Sequence, residues 1–276
     1  MNKFALSPNS LIGVPALEYI DALVNAGYDG IGLRMYASPG VAYESVTQPV
    51  TGNPALMREI KSALGSSGLI LYDALSYYIR PNFDLERMMP SLEFTAELGF
   101  PYAMAICDDP DWAREVDNFG RFCDAVAKLG MTVAMEAPVT QNTVNTLPMA
   151  LQVIAEAGRP NAVICLDPLH FMRSGHTPDD LKGLDPKLFP YTQRRHRHRH
   201  RRPRHAPTGH GPGLRPAQRH PGHPARRYTA QHRVESSRPR VRLLGRRMGQ
   251  NCAGRYARVH GRVLRHPEIL VTETLG

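Results

Sequence analysis

The amino-acid sequence predicts an α/β fold, a parallel (β/α)8 barrel in which about six βα units are intact. Short apolar segments alternate with amphipathic segments at a spacing of roughly 30 residues, which is the pattern of repeated βα units. Two of the apolar segments end in a carboxylate that is followed closely by proline. The composition changes abruptly after residue 193, which divides the chain into a predicted barrel, residues 1–193, and a low-complexity tail, residues 194–276.

Strands and helices are predicted in regular alternation along residues 1–193. The predicted strands are Phe4–Ser7, Gly30–Tyr36, Leu69–Leu75, Tyr102–Cys107, Met131–Glu136 and Val163–Asp167. The predicted helices are Pro15–Ala26, Pro54–Leu64, Asp84–Gly99, Asp111–Leu129 and Leu147–Ala157. Asn53 and Asp84 are suitable N-cap residues, and Thr177, followed by proline and two acids, has the residues of a further helix start.

The segment from residue 161 to residue 177, NAVICLDPLHFMRSGHT, places a carboxylate and an imidazole after a buried strand. Asp167 ends the apolar run, and His170 follows three residues later. In sheets built from βα units, the carboxyl ends of the strands are where ligands bind. The alternative is that Asp167 only caps the next turn and that His170 is a surface residue.

Glu136 occupies the equivalent position on the preceding strand, since it also ends an apolar run and is followed closely by Pro138. In a parallel sheet Glu136 and Asp167 would therefore lie on the same rim and could share a divalent cation. Oxygen-rich ligand sets suit Mg, Mn or Ca, and mixed oxygen and nitrogen sets admit Zn, Co or Fe. Asp73, Asp108 and Asp109 also fall at strand ends and are weaker candidates for lining the same pocket.

Four segments together resemble the sugar phosphate isomerase/epimerase superfamily, whose members are xylose isomerase-like TIM barrels. They are Ala26–Gly32 (AGYDGIG), Met135–Pro138 (MEAP), Cys165–Gly175 (CLDPLHFMRSG) and Tyr191–Gln193 (YTQ). The resemblance covers residues 4–193 and implies an enzyme with one divalent metal, Mn, Mg, Co or Zn, at the carboxyl-end rim. It also leaves open a homo-oligomer in the intact family member.

The resemblance implies roles for five residues. Glu136, Asp167 and Gln193 match the metal ligands on strands five, six and seven, and Glu136 also matches a catalytic proton-transfer residue. His170 matches a position that contacts substrate oxygen, with Arg173 as a weaker candidate for the same role. A second possibility for His170 is that it orients Asp167. The family's fourth ligand, a glutamate on strand eight, has no counterpart in place.

The tail differs from the rest of the chain in charge and composition. Residues 194–276 hold 21 Arg, no Lys, 10 of the 12 His and only three acids, which gives the tail a net charge of +18 against −9 for residues 1–193. One interpretation is a basic arm that binds nucleic acid non-specifically through phosphates, or metals weakly through histidine. Such an arm would normally also contain lysine, and it would leave the barrel two strands short.

The interpretation we favour is that the tail is an out-of-frame translation of GC-rich DNA. Each pair of adjacent residues restricts the codon read one base later, and Met248-Gly249 must then contain TGG, a tryptophan codon. Arg226–Ser236 is compatible with GGIPLSIES, which resembles the family's eighth strand, and the bases encoding Arg233 and Val234 would supply the missing glutamate. The chain as it stands is then expected to have two open sheet edges and to fold poorly or aggregate.

The expected function is metal-dependent isomerisation or epimerisation of a sugar, sugar phosphate or keto acid through an enediolate. Alternatives within the same fold are a dehydratase and an endonuclease IV-like phosphodiesterase, although the latter needs several more His ligands than His170 and His176. A non-catalytic nucleic-acid-binding protein is the alternative outside this class. The scattered cysteines suit a reducing cytoplasm, and neither a signal peptide nor a membrane span is expected.

Overall fold

The computed structural model describes residues 3–11, 13–36, 50–196 and 269–274, all within one compact unit. The eight strands of the described residues form a closed barrel in chain order. They are β1 Phe4–Leu6, β2 Gly30–Arg34, β3 Ile70–Ile79, β4 Tyr102–Cys107, β5 Thr132–Glu136, β6 Ala162–Leu166, β7 Tyr191–His196 and β8 Ile269–Thr274.

Six α-helices follow the first six strands, one after each strand. They are α1 Ala16–Ala26, α2 Pro54–Ser67, α3 Leu85–Leu98, α4 Trp112–Lys128, α5 Leu147–Ala157 and α6 Pro168–Arg173. The described residues also contain three short 3-10 helices, at Pro8–Ser10, Pro178–Leu181 and Pro186–Leu188. No helix in the described part of the chain has the length and apolar character needed to cross a bilayer.

The prediction of a (β/α)8 barrel with about six intact βα units is confirmed. The barrel is incomplete as a (β/α)8 fold, because the described residues contain seven parallel strands and six βα units. Neighbouring strands from β1 to β7 are parallel, whereas β8 is antiparallel to both β7 and β1. The expectation of two open sheet edges is wrong, because β8 is hydrogen-bonded to both. The tail segments on which the frame-shift hypothesis depends lie between residues 197 and 268, outside the described residues.

Helix caps account for most of the element boundaries. The side chains of Asn53, Asp84 and Asp111 accept hydrogen bonds from backbone N–H groups at the third helical positions of α2, α3 and α4, at 3.1–3.2 Å. The helix α2 passes through Gly65 and ends at Ser67, and the next residue, Gly68, caps it with a φ of +70° that favours glycine. The helix start predicted at Thr177 yields only a four-residue 3-10 turn.

Side chains of the barrel strands alternate between two cores. One core fills the space between strands and helices and includes Ile31, Leu33 and Ile164. The other lies inside the barrel and includes Met104, Cys165 and other buried strand residues: Leu75, Tyr78, Ile106, Ala134 and Tyr191. Because residues i and i+2 of a strand share a face, polar residues in step with the second set point into the barrel.

Two buried carboxylates, Asp109 after β4 and Glu115 in the first turn of α4, differ in their partners and in the direction of their pKa shifts. Asp109 accepts two hydrogen bonds from Arg114, at 2.7 Å from Nε and 2.6 Å from Nη2, which lower the pKa of its carboxyl. Glu115 accepts the backbone N–H of Asp109 at 2.5 Å, but its Oε1 has no hydrogen-bond partner in the described structure. Burial raises the pKa of Glu115 to about 7.

The buried glutamate predicts a pH dependence of stability. An acid whose pKa is raised by folding keeps its proton longer in the folded state, so the free energy of unfolding should fall as the pH rises from 4.5 to about 7. The shift corresponds to about 3 kcal/mol. Glu115→Gln keeps an oxygen for the Asp109 N–H and removes the titrating group. We expect urea unfolding of this variant to depend less on pH and to show higher stability at pH 8.

Glu97→Gln is the matched control, because Glu97 is exposed and pairs only at the surface with Lys61. Its unfolding should follow the wild-type pH dependence closely. An equal pH dependence for Glu115→Gln and wild type would contradict the assignment.

Candidate metal centre at the carboxyl ends of the strands

Three buried side chains meet where β5 and β6 end. Glu136 is the last residue of β5, Asp167 follows β6 directly, and His170 lies in the first turn of α6. The strands β5 and β6 are paired in parallel through Met135 and Ile164, so their carboxyl ends lie side by side. The sequence therefore brings the two carboxylates to one rim through strand register alone.

Asp167 has two roles in this arrangement. Its Oδ1 accepts hydrogen bonds from the backbone N–H of Leu169 at 2.7 Å and of His170 at 3.4 Å, which makes it the N-cap of α6. Its Oδ2 lies 3.7 Å from Nε2 of His170. The cap thus fixes both the carboxylate and the start of the helix that carries the imidazole. Capping and a role in the cluster, which the sequence presents as alternatives, are compatible.

The cluster has the composition and spacing of a divalent-cation site. Nε2 of His170 lies 3.9 Å from Oε1 of Glu136, and one candidate ligand atom from each of the three residues lies within 4.8 Å of the others. Ligand atoms that share one ion at roughly 2.0–2.2 Å are separated by about 3–3.5 Å. The observed spacings exceed a hydrogen bond and are close to that separation. Two carboxylates and one imidazole form a mixed ligand set that suits Mn, Co, Zn or Fe.

A small cavity opens beside the cluster. Glu136, Asp167 and His170 line it on the polar side, and apolar residues, among them Leu147 and Phe171, line the rest. Ser174 also contributes to the lining, whereas Arg173 does not. The cavity therefore places a few convergent polar groups against an apolar wall, with room for about one water molecule.

A second polar group lies inside the barrel on β3 and β7. Asp73 and Gln193 are 0% and 1% exposed, and Tyr191 is fully buried. Burial raises the pKa of Asp73 to about 6, and the Tyr191 hydroxyl and the Gln193 amide partly oppose that rise. Burial, with the nearby Asp73, raises the pKa of Tyr191 as well. Nε2 of Gln193 lies 3.4 Å from Sδ of Met104.

Three of the five residues that the sequence analysis assigned to the site lie together in the structure, and Gln193 and Arg173 lie outside this cluster. Glu136 and Asp167 meet as their strand ends predicted, and the His170 imidazole, which the resemblance implied as a substrate contact, joins them as a candidate ligand. Gln193 is buried on β7, and Arg173 is exposed in the last turn of α6. The three-residue spacing of Asp167 and His170 in the sequence could have indicated that they lie together, because a side chain in the first turn of a helix lies near its own N-cap.

The other strand-end acids have structural partners. Oδ1 of Asp108 accepts hydrogen bonds from the backbone N–H groups of Asn142 at 2.8 Å and Thr143 at 3.2 Å, which anchor the loop after β5. Asp109 is paired with Arg114. Asp73 lies within β3 rather than at its end, because β3 continues to Ile79 instead of ending near Leu75.

A family model described as a xylose isomerase-like TIM barrel matches residues 20–217. The chain belongs to this family. The match extends 24 residues beyond residue 193, into the arginine-rich tail. A search of curated proteins finds no match.

Solved structures share the fold at low sequence identity. The probable 3-DHS dehydratase AsbF of Bacillus anthracis is 21% identical, with a TM-score of 0.52 over 69% of this chain and 72% of that chain. The 3-keto-D-glucoside 4-epimerase YcjR of E. coli is 17% identical, with a TM-score of 0.54 over 68% and 76%. The IolI protein, solved with a zinc atom, is 18% identical, with a TM-score of 0.54 over 67% and 69%.

A fusion of a xylose isomerase-like TIM barrel with a 4-hydroxyphenylpyruvate dioxygenase is also similar. It is 16% identical, with a TM-score of 0.56, and the match covers 69% of this chain but only 30% of the fusion protein. At these identities the likeness shows the fold alone.

Proposed function

We propose that this chain descends from a divalent-metal-dependent isomerase or epimerase that acts on a sugar, a sugar phosphate or a related keto compound. The observation that carries the proposal is the buried cluster of Glu136, Asp167 and His170 at the carboxyl-end rim of the barrel. Membership of the xylose isomerase-like family supports it, as do an epimerase and a zinc-containing protein among the structures of the same fold.

The chemistry is the transfer of a proton at a carbon next to a carbonyl group. A divalent metal, when bound, would polarise the carbonyl oxygen and so lower the cost of removing that proton. Glu136, Asp167 and His170 would hold it, with Gln193 of β7 as the further ligand implied by the family pattern. Because a carboxylate has two oxygens, Glu136 can bind through one oxygen and accept the proton at the other.

Dehydration is the second candidate within the same site, and the similar fold of a probable dehydratase supports it. It begins with the same proton removal and differs in that a hydroxyl group then leaves the neighbouring carbon. NMR analysis of the product separates the two reactions, since only dehydration yields a new double bond and water. The phosphodiesterase alternative has less support. It needs several histidine ligands, and His170 and His176 are the only histidines whose side chains the structure describes.

The aspartate that follows β6 gives the first test of metal binding. Asp167→Asn keeps an oxygen that can cap α6 but removes the negative charge next to His170. We expect Mn²⁺ affinity, measured by calorimetry, to fall on the order of 100-fold without loss of the folded state. The matched control is Asp179→Asn, at an exposed acid in a 3-10 turn, which should bind Mn²⁺ like wild type. Equal affinity of wild type and Asp167→Asn would contradict the site.

The proton-transfer role of Glu136 has a direct assay. Ketoses and keto acids are incubated with the protein and Mg²⁺ in D₂O, and deuterium uptake at the carbon next to the carbonyl is followed by NMR. Glu136→Gln should slow this exchange by roughly 10²–10⁴-fold, because an amide cannot accept the proton. The exposed Glu18→Gln serves as the control variant. Undiminished exchange in Glu136→Gln would show that another group is the base.

We also propose that residues 194–276 arise from an out-of-frame reading of the coding DNA. The composition of the tail supports this, and so does the direction of β8, which is antiparallel where the barrel pattern requires a parallel strand. In the pairing of β7 with β8, Gln193 lies opposite Thr272, and Glu273 lies opposite Thr192. The glutamate of β8 is therefore displaced by one residue from the position opposite Gln193.

Resequencing of codons 185–276 tests the frame-shift proposal. The shifted frame should encode a continuation of strand seven, a PLSIE strand and a closing helix. A protein made in that frame should melt at a higher temperature and exchange deuterium faster than the chain as it stands, because it regains a parallel eighth strand and the strand-eight glutamate of the family pattern. Stop codons in the shifted frame would show that the arginine-rich tail is the real product.

A further inference from the structure

The helix α6 carries His170 into the candidate metal centre, but the helix is short. It contains six residues, Pro168–Arg173, which is fewer than two turns. Helices of this length are not stable on their own in water, so the position of α6 depends on tertiary contacts at its ends. The side chain of Asp167 caps the N-terminal end. The contact at the C-terminal end therefore decides how firmly the His170 imidazole is held.

His176 makes this second contact. Its imidazole stacks on the ring of Phe171, with the ring centroids 5.2 Å apart and the ring planes inclined by 17°. Its backbone N–H donates to the Phe171 carbonyl oxygen at 3.3 Å. Gly175, with a φ of +92°, turns the chain between the two residues so that they meet. The side chain and the backbone of His176 therefore both hold the same residue of α6.

Asp180 keeps the imidazole in this orientation. Nδ1 of His176 lies 3.4 Å from Oδ2 of Asp180, which also accepts the backbone N–H of Thr177 at 2.7 Å. Asp180 belongs to the 3-10 helix Pro178–Leu181, so the imidazole joins that helix to α6. The other ring nitrogen, Nε2, is buried and has no hydrogen-bond partner in the described part of the chain. The ring thus keeps its stacking contact although one of its polar atoms stays unpaired.

Phe171 connects this contact to the metal centre. It is 6% exposed and lines the small cavity together with Glu136, Asp167 and His170. Its backbone N–H donates to the carbonyl oxygen of Asp167 at 2.9 Å. Phe171 also follows His170 directly in α6, so a shift of the Phe171 ring moves the backbone that bears the imidazole. A continuous series of contacts therefore runs from His176 to the cluster.

We propose that His176 is a positioning residue: it clamps the C-terminal end of α6 through Phe171 and so fixes the His170 imidazole within the metal centre. This inference rests on the proposed function and adds to the same site a residue outside the ligand set. Neighbours that orient metal ligands change metal affinity when they are removed, although they do not touch the ion themselves. His176 acts in this way through the helix rather than through a direct bond to a ligand.

The experiment measures Co²⁺ binding by the full chain, with the visible absorption of bound Co²⁺ as the report on ligand geometry. His176→Ala removes the stacked ring, and His176→Phe restores a ring without Nδ1. Phe171→Leu removes the stacking partner, and a double variant with His176→Ala and Phe171→Leu completes the mutant cycle. Lys182→Ala is the matched control, because Lys182 is exposed and pairs with the exposed Asp179 at 2.9 Å in the same segment. Metal-free thermal melts are recorded for every variant.

We expect His176→Ala to weaken Co²⁺ binding roughly 10-fold and to change the absorption spectrum, because the loss of the aromatic stack leaves α6 less well held. His176→Phe should recover affinity to within about threefold of wild type, since it restores the stack and loses only a partly exposed pair with Asp180. In the Phe171→Leu background, His176→Ala should have little further effect, because the contact through which it acts is gone. Lys182→Ala should bind Co²⁺ like wild type. If His176→Ala does not fold, His176→Leu, which keeps bulk without a flat ring, takes its place.

Three results would overturn the inference while leaving the metal site intact. They are wild-type affinity and spectrum in His176→Ala, no recovery of affinity in His176→Phe, and an equal effect of His176→Ala with and without the Phe171 ring. A lower melting temperature with unchanged Co²⁺ binding belongs to the first of these, because it would show that His176 stabilises the fold without positioning a ligand. A wild-type chain that binds no Co²⁺ would instead refute the proposed metal site, and the positioning role with it.

Discussion

The parallel hydrogen-bonded ladder from β1 to β7 is the constraint on which the site depends. Parallel neighbours end on the same side of a barrel, so residues that are distant in sequence reach one rim without any special loop. Glu136 and Asp167 use this directly, because each stands where a strand gives way to a loop or a helix. The antiparallel β8 closes the barrel but does not take part in this parallel arrangement.

The carboxylate of Asp167 belongs both to the cluster at the rim and to the N-cap of α6. One oxygen of Asp167 caps α6, and the other faces His170, so the helix start and the cluster form together. Two ionised carboxylates whose oxygens lie within 4.8 Å of each other repel, by roughly 3 kcal/mol when the effective dielectric constant is near 20. A positive charge between them, from a protonated imidazole or a cation, would offset that repulsion.

Much of the fold could be predicted from the sequence, because local signals determine it. The caps Asn53 and Asp84 and the strand ends at Cys107 and Glu136 follow from residue type and apolar periodicity, and the structure confirms them. The convergence of Glu136 with Asp167 follows from strand direction. These are consequences of short-range chemistry and of one topological rule.

The features that could not be predicted depend on long-range packing. The sequence of β3 shows no break at Leu75, and only pairing with β4 determines that the strand runs to Ile79. The burial of Asp73 against Gly32 depends on two strands that lie about 40 residues apart in sequence. The closing strand Ile269–Thr274 is a short apolar segment in an arginine-rich tail, and nothing local indicates that it pairs with both β7 and β1.

The most direct test of the central claim is anomalous diffraction from crystals of the full chain soaked in Mn²⁺ and measured at the manganese absorption edge. The structure predicts one strong anomalous peak bounded by Glu136, Asp167 and His170, at roughly 2.0–2.3 Å from a carboxylate oxygen of each acid and from Nε2 of the imidazole. A peak at another place, or no peak among these residues while Mn²⁺ is bound elsewhere, would show that the rim cluster is not the metal centre.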